Sequence, residues 1–338
     1  MAHIARLEGF ARFSLAHLPT PLEPLEALTA VLGGPRILIK RDDCTGLALG
    51  GNKTRKLEYL VADALDQGAT TLVSEGGLQS NHVRQTAAAA ARAGLRCALA
   101  LDNTVGWPDP NYQSNGNLFL DRLLGAAVHR CEEGETRADR ARIVMDELAA
   151  AGERPYHIPT GGSNAIGGLG YARCALELLD QAEAADLSID HVVLASGSGG
   201  TQGGFLAGLR AAGGGPRCHG IDIDKDPGAV RDKVETVAAG TGALLGVTDA
   251  RDDDIEIVEG FAAPGYGQPN PAMIEAVTLL ARTEGLLLDP VYAGKAMSGL
   301  IAMIREGRFD KDDTVVFVHT GGMPALFAYT GVFAPQDD

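Results

Sequence analysis

Short runs of β-branched and aliphatic residues alternate with longer amphipathic stretches along most of this chain. Strands are predicted at 37–40, 70–74, 97–101, 191–195, 218–223, 255–258 and 314–318, and helices at 57–65, 84–93, 136–151, 168–182, 203–212, 227–239, 271–284 and 294–306. Because parallel strands need crossover connections, this alternation favours parallel sheets with helices on both faces. We therefore expect an α/β protein, and a chain of 338 residues is long enough for two lobes.

The charge balance and the apolar pattern argue against several classes of function. The chain has 29 basic and 44 acidic residues, a formal net charge of −15, which disfavours binding to nucleic-acid phosphates or to anionic lipid. Its apolar runs are too short for a membrane span, and residues 1–21 lack the apolar core of a signal peptide. We therefore expect a cytoplasmic protein that binds neither nucleic acid nor membrane.

The five cysteines are scattered and form no C-x-x-C pair. An odd number of isolated cysteines is typical of free thiols in a reducing compartment, and it points to neither a disulfide framework nor a zinc site. The acidic run at 252–254 also lacks the residue spacing of a metal-binding loop. No metal is expected.

Three loops that follow predicted strands are rich in glycine and small polar residues: 75-EGGLQSN-81, 196-SGSGGTQGG-204 and 319-HTGGMP-324. In parallel sheets, ligands bind beyond the carboxyl ends of the strands, so these loops are the first candidates for a binding site. A fourth glycine-rich stretch, 160-TGGSNAIGGLG-170, is interpreted as a crossing between lobes.

The loop 196-SGSGGT-201 has the composition of an anion cradle. Glycines let several backbone N–H groups point towards one centre, and the helix that follows adds the positive end of its dipole. Such a loop suits a phosphate, although a plain strand-to-helix turn has a similar composition. It is not a dinucleotide fingerprint, because G-x-G-x-x-G fits no register here.

The segment 46-GLALGGNKTRKLEYL-60 is close to a P-loop but breaks its pattern, since Asn52 separates Gly51 from Lys53. What remains is Lys53 at a predicted helix start, just behind a glycine turn. The helix dipole there disfavours the protonated amine and lowers the lysine pKa. Such an amine can form an imine with an aldehyde, although a lone lysine at a helix start is more often a solvated surface residue.

The segment 79-QSNHVRQ-85 begins the next predicted helix with polar side chains. Gln79, Ser80 and Asn81, together with free backbone N–H groups, could hold a carboxylate. Ordinary helix capping by Ser80 or Asn81 explains the same residues equally well. His82 is a candidate for acid–base work, although histidines at helix starts usually cap or pack.

Three hydroxyl side chains lie in other loop-like segments. Thr320 follows the predicted strand 314–318, and Tyr266 and Tyr292 stand among glycines and prolines. Tyrosines in loops can donate protons, but more often they simply pack.

The joint order of these motifs is more specific than any one of them. GGNKTRKLEYL, QSNHVRQTAAAAA, the 196–201 loop, DPVYAGKAM and VFVHTGGMPALFAY stand in this order along the chain. From 18-LPTPLEPL-25 to Tyr329, the chain resembles the pyridoxal-phosphate enzymes of tryptophan-synthase-β-like fold (type II). Within them it is similar to the D-cysteine desulfhydrase and 1-aminocyclopropane-1-carboxylate (ACC) deaminase family, which includes L-cysteate sulfo-lyase.

The resemblance implies a two-lobed fold that binds pyridoxal 5′-phosphate. The small lobe is expected at 50–159, and the large, cofactor-binding lobe combines 1–49 with 160–338. The resemblance also implies a homodimer, for which the apolar segment 10-FARFSLAHL-18 offers a surface.

The resemblance also assigns roles to single residues. Lys53 would hold the cofactor as an imine and later move protons at the substrate α-carbon. The other cofactor contacts would be Asn81 at the 3′-oxygen, Thr320 at the pyridine nitrogen, and a phosphate cradle of Gly197, Ser198, Gly199, Gly200 and Thr201. Ser80 would receive the substrate carboxylate with its neighbours Gln79, Asn81 and His82, and Tyr266 and Tyr292 would face the substrate.

One departure from the family pattern separates its members. The pattern of the cyclopropane deaminases has a glutamate after the tyrosine of VYxGK, and this chain has Ala293 there. A neutral partner such as Thr320 leaves the cofactor ring a weaker electron sink, which suits the loss of a β leaving group better than opening of a cyclopropane ring. We therefore favour a carbon–sulfur lyase that acts on D-cysteine or L-cysteate.

Two alternative functions stay open on sequence alone, and so does the choice between D-cysteine and L-cysteate. The alternatives are an ACC deaminase and a non-catalytic α/β binder of amino acids or phosphorylated metabolites, which would have no need for the Lys53 amine. A sulfonate substrate would need a further donor near the leaving group, for which Arg84 and His82 are candidates.

Overall fold

Two separate parallel sheets organise the chain in a computed structural model that describes residues 3–224, 226–247 and 254–333. The larger sheet has the strand order β1-β2-β10-β7-β8-β9, and the smaller sheet has the order β5-β4-β3-β6. Every pairing is parallel except that of β1 with β2. The strands are β1 (Leu22–Pro24), β2 (Arg36–Lys40), β3 (Thr71–Gly77), β4 (Arg96–Asp102), β5 (Ala127–Arg130), β6 (Pro155–Ile158), β7 (His191–Ser196), β8 (Arg217–Asp222), β9 (Glu256–Val258) and β10 (Thr314–Val318).

Helices connect the strands and cover both faces of the larger sheet. They are α1 (Glu26–Leu32), α2 (Lys53–Asp66), α3 (Asn81–Ala93), α4 (Gly116–Leu123), α5 (Arg137–Ala150), α6 (Ala165–Ala184), α7 (Gly200–Ala212), α8 (Pro227–Leu244), α9 (Pro271–Glu284), α10 (Ala293–Arg305) and α11 (Thr330–Phe333). In β10, Val315 and Phe317 pack in the core that contains α9 and α10, whereas Val316 and Val318 pack in the core that contains α6 and α7. This alternation along a strand buried on both sides confirms the predicted α/β class.

The glycine-rich stretch 160–170 is partly helical, and its interpretation as a crossing between lobes stays a prediction. Its second half lies in α6, where a Cβ at Gly168 would stand 1.9 Å from Thr241 Oγ1 and a Cβ at Gly170 would stand 2.4 Å from the Arg55 carbonyl. These glycines serve the close approach of α6 to α8 and α2, and they do not mark a loop. The helix predicted from residue 168 is confirmed, and it begins three residues earlier, at Ala165.

The sequence pattern did not predict some of the short strands and helices. The edge strands β5 and β6 mix exposed and buried positions without clean alternation, and α1 and α4 are short. All four strands of the smaller sheet fall between residues 71 and 158. The lobe boundaries at 50 and 159 stay a prediction, and residues 1–2, 225, 248–253 and 334–338, which include most of the acidic run 252–254, lie outside the described residues.

The carboxyl ends of the strands bring the glycine loops together. β3 ends before the loop that leads to α3, β7 ends before the loop that leads to α7, and β10 ends before Thr320. The five cysteines are unpaired. In the part of the chain that the structure describes, no helix has the length and apolar character needed to cross a membrane.

Candidate active site

Two adjoining cavities lie where these loops meet. The cradle cavity is lined by the 197–199 loop with Thr201, Asn81 and Thr320, and the tyrosine cavity is lined by Ser80, Thr104, Arg137 and Tyr266. The residues that line both are Lys53, His82, Gly197, Ser198 and Tyr292. Most of the predicted site residues therefore lie around these two cavities, and Lys53 lines both.

Lys53 is the first residue of α2 and follows Asn52. Burial lowers the pKa of its amine from 10.5 to about 8, while Lys56 and the Asp289 carboxylate act in the opposite direction. The lowered pKa agrees with the sequence analysis, but its main cause is desolvation and not the helix dipole.

Lys56 is a second buried amine that the sequence analysis missed. It lies one helical turn after Lys53, and its Nζ donates a hydrogen bond to the Gly161 carbonyl at 3.1 Å. Burial and the neighbouring charge of Lys53 lower the pKa of Lys56 well below the usual lysine value. The K-x-x-K spacing places both amines on one face of the helix, and this spacing was the available signal.

The 197–201 loop has the backbone form of an anion cradle. Gly199 has φ +79°, and a Cβ on it would stand 2.5 Å from the backbone of Lys233. A Cβ on Gly200 would stand 2.4 Å from Ser163 Oγ and 2.7 Å from Lys56 Nζ. Gly200 is the first residue of α7 and does not line the cavity itself, and only glycine allows the Lys56 amine to come this close to the loop.

The donors around this loop fit a phosphate. Ser196 Oγ is buried and has no hydrogen-bond partner among the described residues. The N-terminus of α7 and the glycine N–H groups supply positive partial charge, and the Lys56 amine adds a hydrogen-bond donor at the same place. Thr201 Oγ1 accepts a hydrogen bond from Asn52 Nδ2 at 3.1 Å, which fixes the loop to the start of α2.

Asn81 and Thr320 also line the cradle cavity. Asn81 Oδ1 accepts a hydrogen bond from Asn117 Nδ2 at 2.8 Å, and a Cβ on Gly322 would stand 2.6 Å from Asn81 Nδ2. The Thr320 hydroxyl makes no hydrogen bond within the described part of the chain, although its backbone carbonyl accepts one from Asn52 N. Both side chains therefore have a polar group available to a bound molecule.

Ser80 and Gln79 differ in where they point. Ser80 lines the tyrosine cavity, and its Oγ also accepts a long hydrogen bond of 3.4 Å from Val83 N as the cap of α3. Gln79 Nε2 donates to the carbonyls of Tyr112 and Asn115 at 2.8 and 2.9 Å, and its Oε1 accepts from Asn117 N at 2.9 Å. The hydrogen bonds of the Gln79 side chain are thus satisfied inside the fold, and Gln79 lines neither cavity.

His82 lines both cavities as a neutral imidazole. Burial and the charges of Lys53 and Lys56 lower the pKa of His82 well below 6.5. Its Nε2 lies 2.9 Å from Ser74 Oγ. The ring can therefore accept or donate one hydrogen bond in the cavity, but it does not supply a cation.

Tyr266 and Tyr292 form a hydroxyl pair in the tyrosine cavity. The two hydroxyls hydrogen-bond to each other, and the ring centroids lie 5.8 Å apart in an edge-to-face arrangement. Burial raises the pKa of both phenols above 10, so both are protonated at neutral pH. They are suited to donate hydrogen bonds to a bound substrate.

Asp289 is a further buried group that the sequence analysis passed over. Its carboxylate accepts backbone N–H bonds from Val291, Tyr292 and Ala293 at 3.0, 2.9 and 2.7 Å. Burial raises the Asp289 pKa to about 6, partly offset by these N–H groups and by Lys53. Asp289 thereby holds Tyr292 in place at the start of α10, and an aspartate four residues before a helix was the signal for such a cap.

Arg84 does not reach the site. Its Nε donates to Asn117 Oδ1 at 2.8 Å, and its terminal nitrogens bond the carbonyls of Ala48 and Gly50. The prediction that Arg84 could serve a leaving group was wrong, because its donors hold the glycine turn before α2. The arginine that lines the tyrosine cavity is instead Arg137 at the start of α5.

The fold and this site together define a class of protein. A lysine with a lowered pKa stands beside a buried phosphate cradle, at the carboxyl ends of parallel strands, and the hydroxyl side chain of Thr320 lines the same cavity. This is the arrangement of a pyridoxal-phosphate enzyme of fold type II.

Comparison with known proteins agrees with this class and shows the family. The model of the family described as pyridoxal-phosphate dependent enzyme matches residues 13–321. D-cysteine desulfhydrases of Serratia proteamaculans and Klebsiella pneumoniae are 45% and 47% identical over 324 and 327 residues, 96% of this chain in both cases and 97% and 98% of those proteins. The chain belongs to the pyridoxal-phosphate dependent enzyme family, and its cofactor is pyridoxal phosphate.

Solved structures show the same fold. The structure of an ACC deaminase homologue matches with a TM-score of 0.88 at 33% identity and covers 98% of both chains. Escherichia coli diaminopropionate ammonia lyase matches with a TM-score of 0.67 at 16% identity, over 100% of this chain and 93% of that chain, which supports the fold alone.

Proposed function

We propose that this protein is a carbon–sulfur lyase that removes the β-substituent of a β-substituted alanine. Pyridoxal phosphate, when bound, supplies an electron sink for the substrate α-carbon. D-cysteine is the first substrate to consider, because relatives that share 45–47% of the sequence bear the name D-cysteine desulfhydrase. The observation that carries the proposal is the position of Lys53, whose amine reaches both the cradle cavity and the tyrosine cavity.

The residues of the cradle cavity would hold the cofactor. The 197–201 loop and Lys56 would bind its phosphate, and Lys53 would attach its aldehyde. Asn81 would hydrogen-bond the 3′-oxygen, and the Thr320 hydroxyl would meet the pyridine nitrogen. This assignment uses the side chains whose polar groups are available in that cavity.

The residues of the tyrosine cavity would act on the substrate. Ser80 and the N-terminus of α3 would hold its carboxylate, while the Lys53 amine would take the α-proton. After the α-proton is removed, the Cβ–S bond would break and the sulfur would leave with the bonding electron pair. The Tyr266–Tyr292 pair would donate a hydrogen bond to the departing sulfur. Adding one water to the three-carbon remainder gives pyruvate and ammonia, with sulfide from D-cysteine or sulfite from L-cysteate.

Lys53→Ala is the first test of this proposal. We expect purified wild-type protein to show a visible cofactor band, and borohydride to fix the cofactor on the peptide that contains Lys53. Lys53→Ala should lose the band, the trapped adduct and pyruvate formation together. An adduct on another lysine, or a wild-type protein that stays colourless with added cofactor, would refute the site assignment.

The substrate is tested by separate product assays. D-cysteine, L-cysteine, L-cysteate, D-serine and the cyclopropane acid should be compared, with pyruvate, 2-oxobutyrate, sulfide and sulfite measured individually. Faster release of 2-oxobutyrate than of pyruvate would favour the ACC deaminase alternative, against which Ala293 stands. Binding of cofactor and amino acids without any product would favour the non-catalytic binder.

The same proposal includes the oligomeric state of the enzyme, its location in the cell and the bounds of its small lobe. A homodimer, a cytoplasmic location and a small lobe that spans 50–159 are expected for such a lyase. Sedimentation of the purified holoenzyme tests the first of these directly.

A further inference from the structure

Arg137 is a cation in the wall of the tyrosine cavity that pairs with Asp102 but keeps its guanidinium donors available. It begins α5, and its Nε lies 3.6 Å from Asp102 Oδ2, which is longer than a hydrogen bond. Among the described residues its guanidinium makes no hydrogen bond, and its side chain keeps 35% of its accessible surface. Arg84 shows the contrast, since its guanidinium is buried and bonded to three acceptors.

The wall of the tyrosine cavity is more basic than the molecule as a whole. Among the described residues, Lys53, Arg137 and Lys233 line it. The one carboxylate in that described lining is Asp224, 3.7 Å from Lys233, and Asp102 lies 3.6 Å from Arg137 outside the lining. The full chain has a net charge of −15. A basic cavity in an acidic protein concentrates anionic ligands at that point.

The other anionic groups of the proposed reaction already have binding residues. The cofactor phosphate would lie in the cradle cavity, which Arg137 does not line. The substrate carboxylate would lie at Ser80 and the start of α3. The Arg137 donors, which share a cavity with Tyr266 and Tyr292, are therefore available for a second anionic group on the substrate.

On the basis of the lyase function proposed above, we infer that Arg137 determines specificity by binding a negatively charged β-substituent, of which a sulfonate is the best fit. A guanidinium can form two parallel hydrogen bonds with a sulfonate, as it does with a carboxylate. A cysteine thiol with a pKa of about 8.5 is mostly neutral at pH 7, so it gains less from the same cation. With cysteate the Cβ–S bond breaks, and one water converts the remainder into pyruvate and ammonia as sulfite leaves.

Substitution of Arg137 tests this inference. Arg137→Gln keeps hydrogen-bond donors without the charge, and Arg137→Lys keeps the charge without the planar pair of donors. Arg142→Gln is the matched control, because Arg142 lies on the same helix with 68% of its side chain exposed and lines neither cavity. Substrates are both enantiomers of cysteate, D-cysteine, and β-chloroalanine, whose β-substituent is neutral.

We expect Arg137→Gln to lower kcat/KM for pyruvate release from cysteate by roughly 10- to 100-fold, mainly through KM. The value for β-chloroalanine should change by less than about 3-fold, Arg137→Lys should fall between, and Arg142→Gln should match the wild type. Thermal unfolding confirms that each variant is folded. An equal loss on all substrates, or no preference of the wild type for cysteate over β-chloroalanine, would overturn the inference and leave the lyase function intact.

The two proposals can fail separately. If no substrate yields pyruvate, the lyase function fails, and calorimetric titration of cysteate into the holoenzyme still tests Arg137. A Kd that is weaker in Arg137→Gln than in Arg142→Gln supports the binding role, and equal Kd values refute it.

Discussion

Lys53 shows how burial prepares a side chain for chemistry. With a pKa of about 8, roughly one-tenth of its amines are neutral at pH 7, compared with about one in 3,000 at the ordinary value of 10.5. Asp289 supplies the nearby negative charge that keeps the pKa from falling further.

The rate at which cofactor-free protein takes up pyridoxal phosphate should therefore depend on pH. The neutral amine is the reactive form, so the rate should rise with pH and level off above about 8. Removing the charge in Asp289→Asn should move the midpoint to lower pH, because the protonated amine loses its partner. Stopped-flow absorbance between pH 6 and 10 measures both midpoints, and a wild-type midpoint near 10.5 would contradict the buried amine.

At the scale of an element, α2 is fixed by a buried ion cluster on the side away from the cavity. Arg55 contacts Asp42 at 2.8 Å and Glu177 at 2.9 Å, and Lys40 contacts Glu177 at 2.6 Å. All four side chains are at most 2% exposed. The cluster joins β2, α2 and α6, so the helix that begins with Lys53 is tied to the larger sheet.

Arg55→Met should be strongly destabilising, because it leaves the buried Asp42 carboxylate without its cation and Glu177 with Lys40 alone. We expect the free energy of unfolding to fall by about 3–5 kcal/mol. The matched change Arg305→Met, which breaks an exposed pair with Glu275, should cost about 0–1 kcal/mol. Urea denaturation of both variants makes the comparison, and equal losses would show that the buried cluster is not a special contributor.

At the scale of the whole molecule, the same cluster predicts acid sensitivity. Burial alone would raise the Glu177 pKa, but Arg55 and Lys40 lower it from 4.5 to about 2. As the pH falls, the Glu177 carboxylate is protonated in the unfolded chain before it is protonated in the folded protein. The contribution of Glu177 to the free energy of unfolding is therefore present above about pH 4.5 and is lost as the pH falls towards 2. Glu177→Gln should be less stable at pH 7 and should show a shallower loss of stability between pH 4.5 and 2. An unchanged slope would contradict this role of Glu177.

Much of the fold and of the site could be predicted from the sequence because both depend on local order. Strand and helix periodicity, and glycine loops after strands, fix where Lys53, Asn81, the 197–201 loop and Thr320 must lie. The orientation of long side chains could not be predicted, since it depends on partners far along the chain. Gln79 turns to the loop at 112–117, and Arg84 turns to the loop at 48–50.

The contact of α2 with α6 across Gly170 has a mechanical consequence. The predicted boundary at residue 50 assigns α2 to the small lobe, yet its backbone lies against a helix that packs on the larger sheet. If the smaller sheet were to shift against the larger one, the shift would carry Ser80 and Arg137 with it. The Lys53 amine and the 197–201 loop would keep their spacing, so the contacts that hold pyridoxal phosphate would stay in place during such a shift.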